Sequence, residues 1–141
     1  MGRRTLVALA AVAVLAAGAP ACGGGHECVD VDLACDPLYP PTFDNVFTTT
    51  LLPKCGAEGN ACHSIEGHRN GLVFADIDDA YDELLGLTED GARLVPSDAS
   101  CSEMIMRISA TDPDYLMPPG QPLSPEERCA LTLWVANGAE R

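Results

Sequence analysis

Basic residues are scarce in this chain: 8 Lys and Arg stand against 21 Asp and Glu, a formal charge of −13. A surface so short of cations repels phosphate backbones, which argues against nucleic acid as a partner and leaves a basic protein face as the one that long-range attraction would steer in. Aromatics are few as well, with three Phe, three Tyr and one Trp. The apolar payload is therefore modest, and a small domain built from it needs a further staple, either disulfides or a bound group. No apolar run reaches the ~20 residues that span a bilayer. No segment alternates with a period of two over the length of a strand, Leu72-Val73-Phe74 being too short. A nucleophile paired with a base, a phosphate-cradling glycine loop and a distinctively spaced carboxylate pair are all missing, so we expect no enzymatic activity.

What is present begins with an export signal. Arg3-Arg4 leads into an apolar run from Leu6 to Ala17 and then to Ala19-Pro20-Ala21-Cys22, the layout of a cleaved leader over residues 1–21. Cys22 sits where a lipobox places its acylated cysteine, so the expectation is a lipid anchor there, with secretion after Ala21 as the alternative. Cleavage would leave 6 basic against 21 acidic residues, a formal charge of −15. Residues 22–41 read as a Gly- and Pro-containing tether and 42–141 as one domain of about 100 residues. The protein is expected in the periplasm or cell envelope, touching the membrane through the N-terminal anchor alone.

Helical spacing dominates the rest. Phe43, Val46, Phe47 and Leu51 form an apolar stripe that Pro53 is expected to stop. Ile77, Ala80, Tyr81, Leu84 and Leu85 repeat helically from Asp76 to Gly86. Ser100 and Glu103 fit a capping box ahead of Met104, Ile105 and Ile108. Ser124, Pro125 and Glu127 open a last helix whose buried stripe is Ala130, Leu131, Trp134 and Val135. The pattern predicts an all-α domain of about four helices with long loops.

Seven cysteines carry the chemistry. With Cys22 acylated, six remain, and proximity in sequence suggests Cys28–Cys35 as a local disulfide and Cys101–Cys129 as a staple between the last two helices. Cys55 and Cys62 differ because His63 follows at once. A cysteine followed by histidine ends the attachment signal of c-type haem, in which two thiols bond the haem vinyl groups and the imidazole takes an axial iron position. Six residues separate these cysteines, where the usual signal has two, so the intervening loop must bulge outward; Gly56 and Gly59 permit that. Met117 is a candidate second axial ligand on a stiff loop with Pro118 and Pro119. His68 is a rival ligand, and Cys55, Cys62, His63 and His68 together would make a zinc loop of unusual spacing.

These pieces occur in a familiar order. Leu52-Pro53-Lys54-Cys55, Cys62-His63, Gly71-Leu72, Leu94-Val95-Pro96-Ser97, Met117-Pro118-Pro119-Gly120, Leu123-Ser124-Pro125-Glu126-Glu127 and Trp134-Val135-Ala136-Asn137-Gly138-Ala139 make the region from Phe43 to Ala139 resemble the small cytochrome c-like domains of the planctomycete type. The resemblance implies one haem c held by Cys55 and Cys62, with His63 and Met117 on the iron, in a carrier of single electrons that meets a redox protein partner. The alternative is a relative that keeps the fold without haem, with Cys55–Cys62 as a third disulfide and Met117 packed in the core, serving as a binding or structural module of the envelope.

Overall fold

A computed structural model describes residues 27–59, 62–87 and 91–141. The leader expected over 1–21 and the anchor at Cys22 lie outside the described residues. Four α-helices follow in order, α1 (Phe43–Val46), α2 (Ile77–Leu85), α3 (Glu103–Ser109) and α4 (Pro125–Ala136), with no strand among the described residues. The domain is all-α, as the spacing predicts.

The first helix does not stop at the proline. α1 passes directly into a π-helix, Phe47–Cys55, that contains Pro53. Proline lacks a donor, and its ring clashes with the carbonyl four residues back; opening the turn toward five residues eases the clash. The wide turn closes with the Gly56 N–H donating to the Leu51 carbonyl at 3.0 Å. Its effect is to carry the chain one residue pair further, so that Cys55 ends a helix rather than starting a loop.

α2 is capped as expected: the Asp76 carboxylate accepts from the Asp78 and Asp79 N–H groups, and Gly86 ends the helix at φ 71°. α4 has the full capping box, with the Glu127 N–H donating to Ser124 Oγ and the Ser124 N–H to Glu127 Oε2. α3 corrects the reading. Its cap position is Ser102, not Ser100, and no side chain caps it. Ser100 Oγ donates to Asp98 Oδ1, while Ser102 Oγ accepts from the Val95 N–H and donates to the Asp98 carbonyl. Both hydroxyls are spent folding the preceding turn.

The core lies where α1 and the π-helix cross α4, with α2 and α3 alongside. The Phe43 ring meets Trp134 at 5.1 Å and Tyr81 edge-on at 5.0 Å. Phe43, Val46, Leu84, Ile105, Leu131, Trp134 and Val135 are at most 2% exposed, each contributing about 1.5–3 kcal/mol for a large side chain taken out of water. Trp134 Nε1 donates to the Glu140 carbonyl and the Tyr81 hydroxyl to that of Ala139, folding the C-terminus back over this core.

The disulfides overturn the local pairing. Cys28 bonds Cys101 and Cys35 bonds Cys129; neither Cys28–Cys35 nor Cys101–Cys129 forms. The reason is the path of residues 27–41, which run across the starts of α3 and α4. The Val29 N–H donates to the Ser100 carbonyl and the Leu38 N–H to that of Glu126, so each cysteine is delivered to a different helix. Val29, Val31 and Tyr39 pack against the core, and the Tyr39 and Thr50 hydroxyls share a hydrogen bond. The described part of the expected tether is a strap sewn onto the domain.

Candidate functional site

Cys55 ends the π-helix and points its thiol into a partly buried wall. The chain then loops out through exposed Glu58 and Gly59, the latter at φ 75° with open space around it, and returns with Cys62 and His63. Backbone bonds close the return: the His63 N–H donates to the Cys55 carbonyl at 3.2 Å, that of Arg69 to Cys62 at 2.9 Å and that of Phe74 to His63 at 2.8 Å. Gly56 makes the fold-back possible. A Cβ there would fall 2.5 Å from the Phe74 carbonyl oxygen, so any side chain would push the two strands of the loop apart.

His63 is held in one tautomer. Its Nδ1 lies 3.1 Å from the Leu72 carbonyl oxygen; a carbonyl only accepts, so Nδ1 carries the proton and Nε2 keeps its lone pair. The ring rests against Phe74, with centroids 5.4 Å apart. Burial lowers the pKa of His63, helped by the charges of Arg107 and Arg93 and only partly offset by backbone bonds to Leu72 and Arg69, so the neutral imidazole is favoured at pH 7. A neutral ring whose N–H is held by a backbone carbonyl is the form that ligates a metal.

Cys55 and Cys62 are not disulfide-bonded, and both are half-buried. Burial, then the neighbouring Cys62, pushes the Cys55 thiol up to about 11. It remains protonated at neutral pH. The haem-free alternative had these two sulfurs closed as a third disulfide and Met117 packed in the core; here all three residues border a common space, and the predicted third disulfide is not formed.

That space is a cavity of ≈ 530 Å³, inside the roughly 300–1,000 Å³ range of sites for organic ligands. Cys55, Cys62, His63 and Met117, the four residues singled out from sequence, all line it. Its apolar wall comes from the π-helix, α3 and α4 through Leu51, Met104, Ile108 and Leu131. Lys54, Arg69, Arg93 and Arg107 also border it, four of the six cationic side chains that follow Ala21. The sequence did not reveal this concentration, because the four are scattered singly over more than fifty positions. Lys54 pairs with Glu127 at 2.6 Å and Arg107 with Glu103 at 2.9 Å, and Arg93 Nη2 donates to the Asn70 carbonyl at 2.8 Å. Burial raises the Glu127 carboxyl, but its bonds to Lys54 and Ser124 outweigh that and hold it below the usual range.

His68 stands apart, exposed, with Nδ1 3.1 Å from the Ile65 carbonyl. Among the described residues no group of three His, Cys, Asp or Glu is placed to hold a metal ion, so the four-residue zinc loop is not assembled.

Residues 60–121 match the family model described as planctomycete cytochrome C. The match supports a planctomycete-type cytochrome c-like domain over that segment. No curated protein and no solved structure matches the chain. The matched segment contains Cys62, His63 and Met117, together with Arg69, Arg93 and Arg107 of the cavity wall; Cys55 precedes it.

Proposed function

We propose that the cavity holds one haem c and that the protein is an exported carrier of single electrons. The observation that carries this reading is the donor set on one wall system: two thiols, an imidazole oriented by the Leu72 carbonyl and a thioether, around an apolar space bordered by cations. Thiols at Cys55 and Cys62 would hold the group covalently, while His63 and Met117 would supply the two axial ligands. The outward loop through Glu58 and Gly59 reconciles the long cysteine spacing with both sulfurs reaching the same cavity. When bound, the haem supplies a one-electron couple, and His–Met ligation raises its potential.

The chain's own residues do the rest. Leu72 fixes the tautomer of His63, Leu51, Ile108 and Leu131 keep water from the buried face, and the bordering cations match the carboxylates that such a group carries. Two long-range disulfides support an oxidising compartment, the periplasm or envelope. The partner would be a redox protein, and the chain's acidic balance favours one with a basic face.

The test is expression with a c-type haem maturation system. We expect a sharp reduced α-band and an intact denatured mass higher by one haem. A mass showing only the polypeptide, with Cys55 and Cys62 still carrying thiols, sinks the reading.

A further inference from the structure

Met117 is presented by a loop, and its backbone is fastened to the last turn of α3: the Met117 N–H donates to the Arg107 carbonyl at 3.1 Å. Just upstream, the N–H groups of Tyr115 and Leu116 both return to the Asp112 carbonyl, at 3.1 and 2.9 Å, closing a tight turn that ends at the methionine. The side chain of the same Arg107 reaches over this turn. Its guanidinium lies 4.4 Å from the centroid of the Tyr115 ring. One helical turn earlier, Glu103 Oε1 accepts from both Arg107 Nε and Nη2 at 2.9 Å, which fixes the plane of the guanidinium. Arg107 thus grips the loop twice, by its carbonyl at Met117 and by its charge at Tyr115, while Glu103 stops the grip from swinging.

We infer that Arg107, locked by Glu103 and stacked on Tyr115, is the positioning residue that holds Met117 at the cavity. The inference rests on the reading of Met117 as an iron ligand, and it adds the device that sets this ligand's presence and strength. The geometry needs an arginine: a flat cation can stack on a ring and donate two N–H groups to one carboxylate at once, whereas an ammonium offers only a point charge. A thioether is a weak ligand with no charge of its own, so its occupancy depends on how much of the time its loop is held in place. Loosening the loop would weaken iron–sulfur ligation while leaving the covalent attachment at Cys55 and Cys62 intact.

Two measurements on the full chain decide this. In the haem-loaded protein, Arg107→Ala and Tyr115→Leu should weaken the red sulfur-to-iron charge-transfer band per bound haem and lower the midpoint potential toward that of Met117→Ala; Arg107→Lys should restore little. In the haem-free protein, peroxide oxidation of Met117, followed by peptide mass, should quicken about two- to fivefold in Arg107→Ala, the loss expected for a half-exposed cation–ring pair. Val46→Ala, buried in the core away from the cavity, serves as the control for general loosening and should leave both readouts alone. An Arg107→Ala protein with wild-type band, potential and Met117 oxidation overturns the inference, as does equal oxidation in Val46→Ala. If the wild type takes up no haem, the electron-carrier reading falls, and the oxidation arm alone still decides whether Arg107 holds the loop.

Discussion

Two sets of cysteines in this domain have opposite fates. Cys28, Cys35, Cys101 and Cys129 are joined across 73 and 94 residues of chain, tying the N-terminal strap to the starts of α3 and α4. Cys55 and Cys62 are only seven positions apart yet stay as thiols at the mouth of a cavity. Nearness in sequence therefore does not decide which sulfurs join. The strap is pinned to α3 and α4 by backbone bonds that bring distant cysteines together, whereas the Cys55–Cys62 loop is closed by its own backbone bonds without requiring a sulfur bridge. One set ties distant parts of the chain together, and the other lines the cavity.

The sharpest way to break the contrast is at the staples. Cys35→Ser with Cys129→Ser opens a loop whose closure contributes about 4–5 kcal/mol on the chain-entropy model; we expect a fall in urea stability of that order, and a fall below about 1 kcal/mol would show that backbone packing alone holds the strap. Next in size is the thiol loop itself. Gly56→Ala sets a Cβ against the Phe74 carbonyl, which should cost about 1–3 kcal/mol by overpacking and, unlike the disulfide variant, should abolish haem uptake.

A smaller effect belongs to the link between the two regions. Glu127 caps α4 and pairs with Lys54, the residue before Cys55. Its folded pKa is depressed, so its contribution is present above the ordinary carboxylate range and fades as pH falls through that range toward the folded value. Glu127→Gln should cost about 1 kcal/mol at pH 7 and flatten the acid limb of the stability curve, which thermal melts from neutral to acid pH would read. The least effect on stability, and the most specific to the thiol side, is alkylation: in haem-free protein the rate at Cys55 should keep rising up to about pH 11. A plateau near neutral pH would mean that the sulfur is less buried than described.

The same contrast separates what the residues disclose from what they hide. The start of α4 was legible because its cap is local: Ser124, Pro125 and Glu127 satisfy one another within four positions. Ser100 and Glu103 carry an equivalent spacing but not the cap, since Asp98 competes for the Ser100 hydroxyl and the competition is visible only once the turn is folded. Pro53 reads as a stop because a regular α-turn cannot hold it; a π-turn can, and no residue pattern announces that choice. The candidate site was legible in its four donors, which chemistry marks individually. Its cations were not, because Lys54, Arg69, Arg93 and Arg107 converge only through tertiary structure. The disulfide pairing was hidden for the same reason.

The Cys28–Cys101 bond also fixes a length. Six residue steps separate Cys22 from Cys28, and a fully extended chain covers at most about 3.3–3.6 Å per residue, roughly 20 Å in all. A domain of about 110 residues has a radius of gyration near 13 Å. A lipid carried at Cys22 would thus hold the molecule on a leash shorter than its own diameter, with the Cys28–Cys101 edge turned toward the bilayer. Electron delivery would then be a two-dimensional search, in which the partner must come to the membrane surface rather than the carrier travelling out to it.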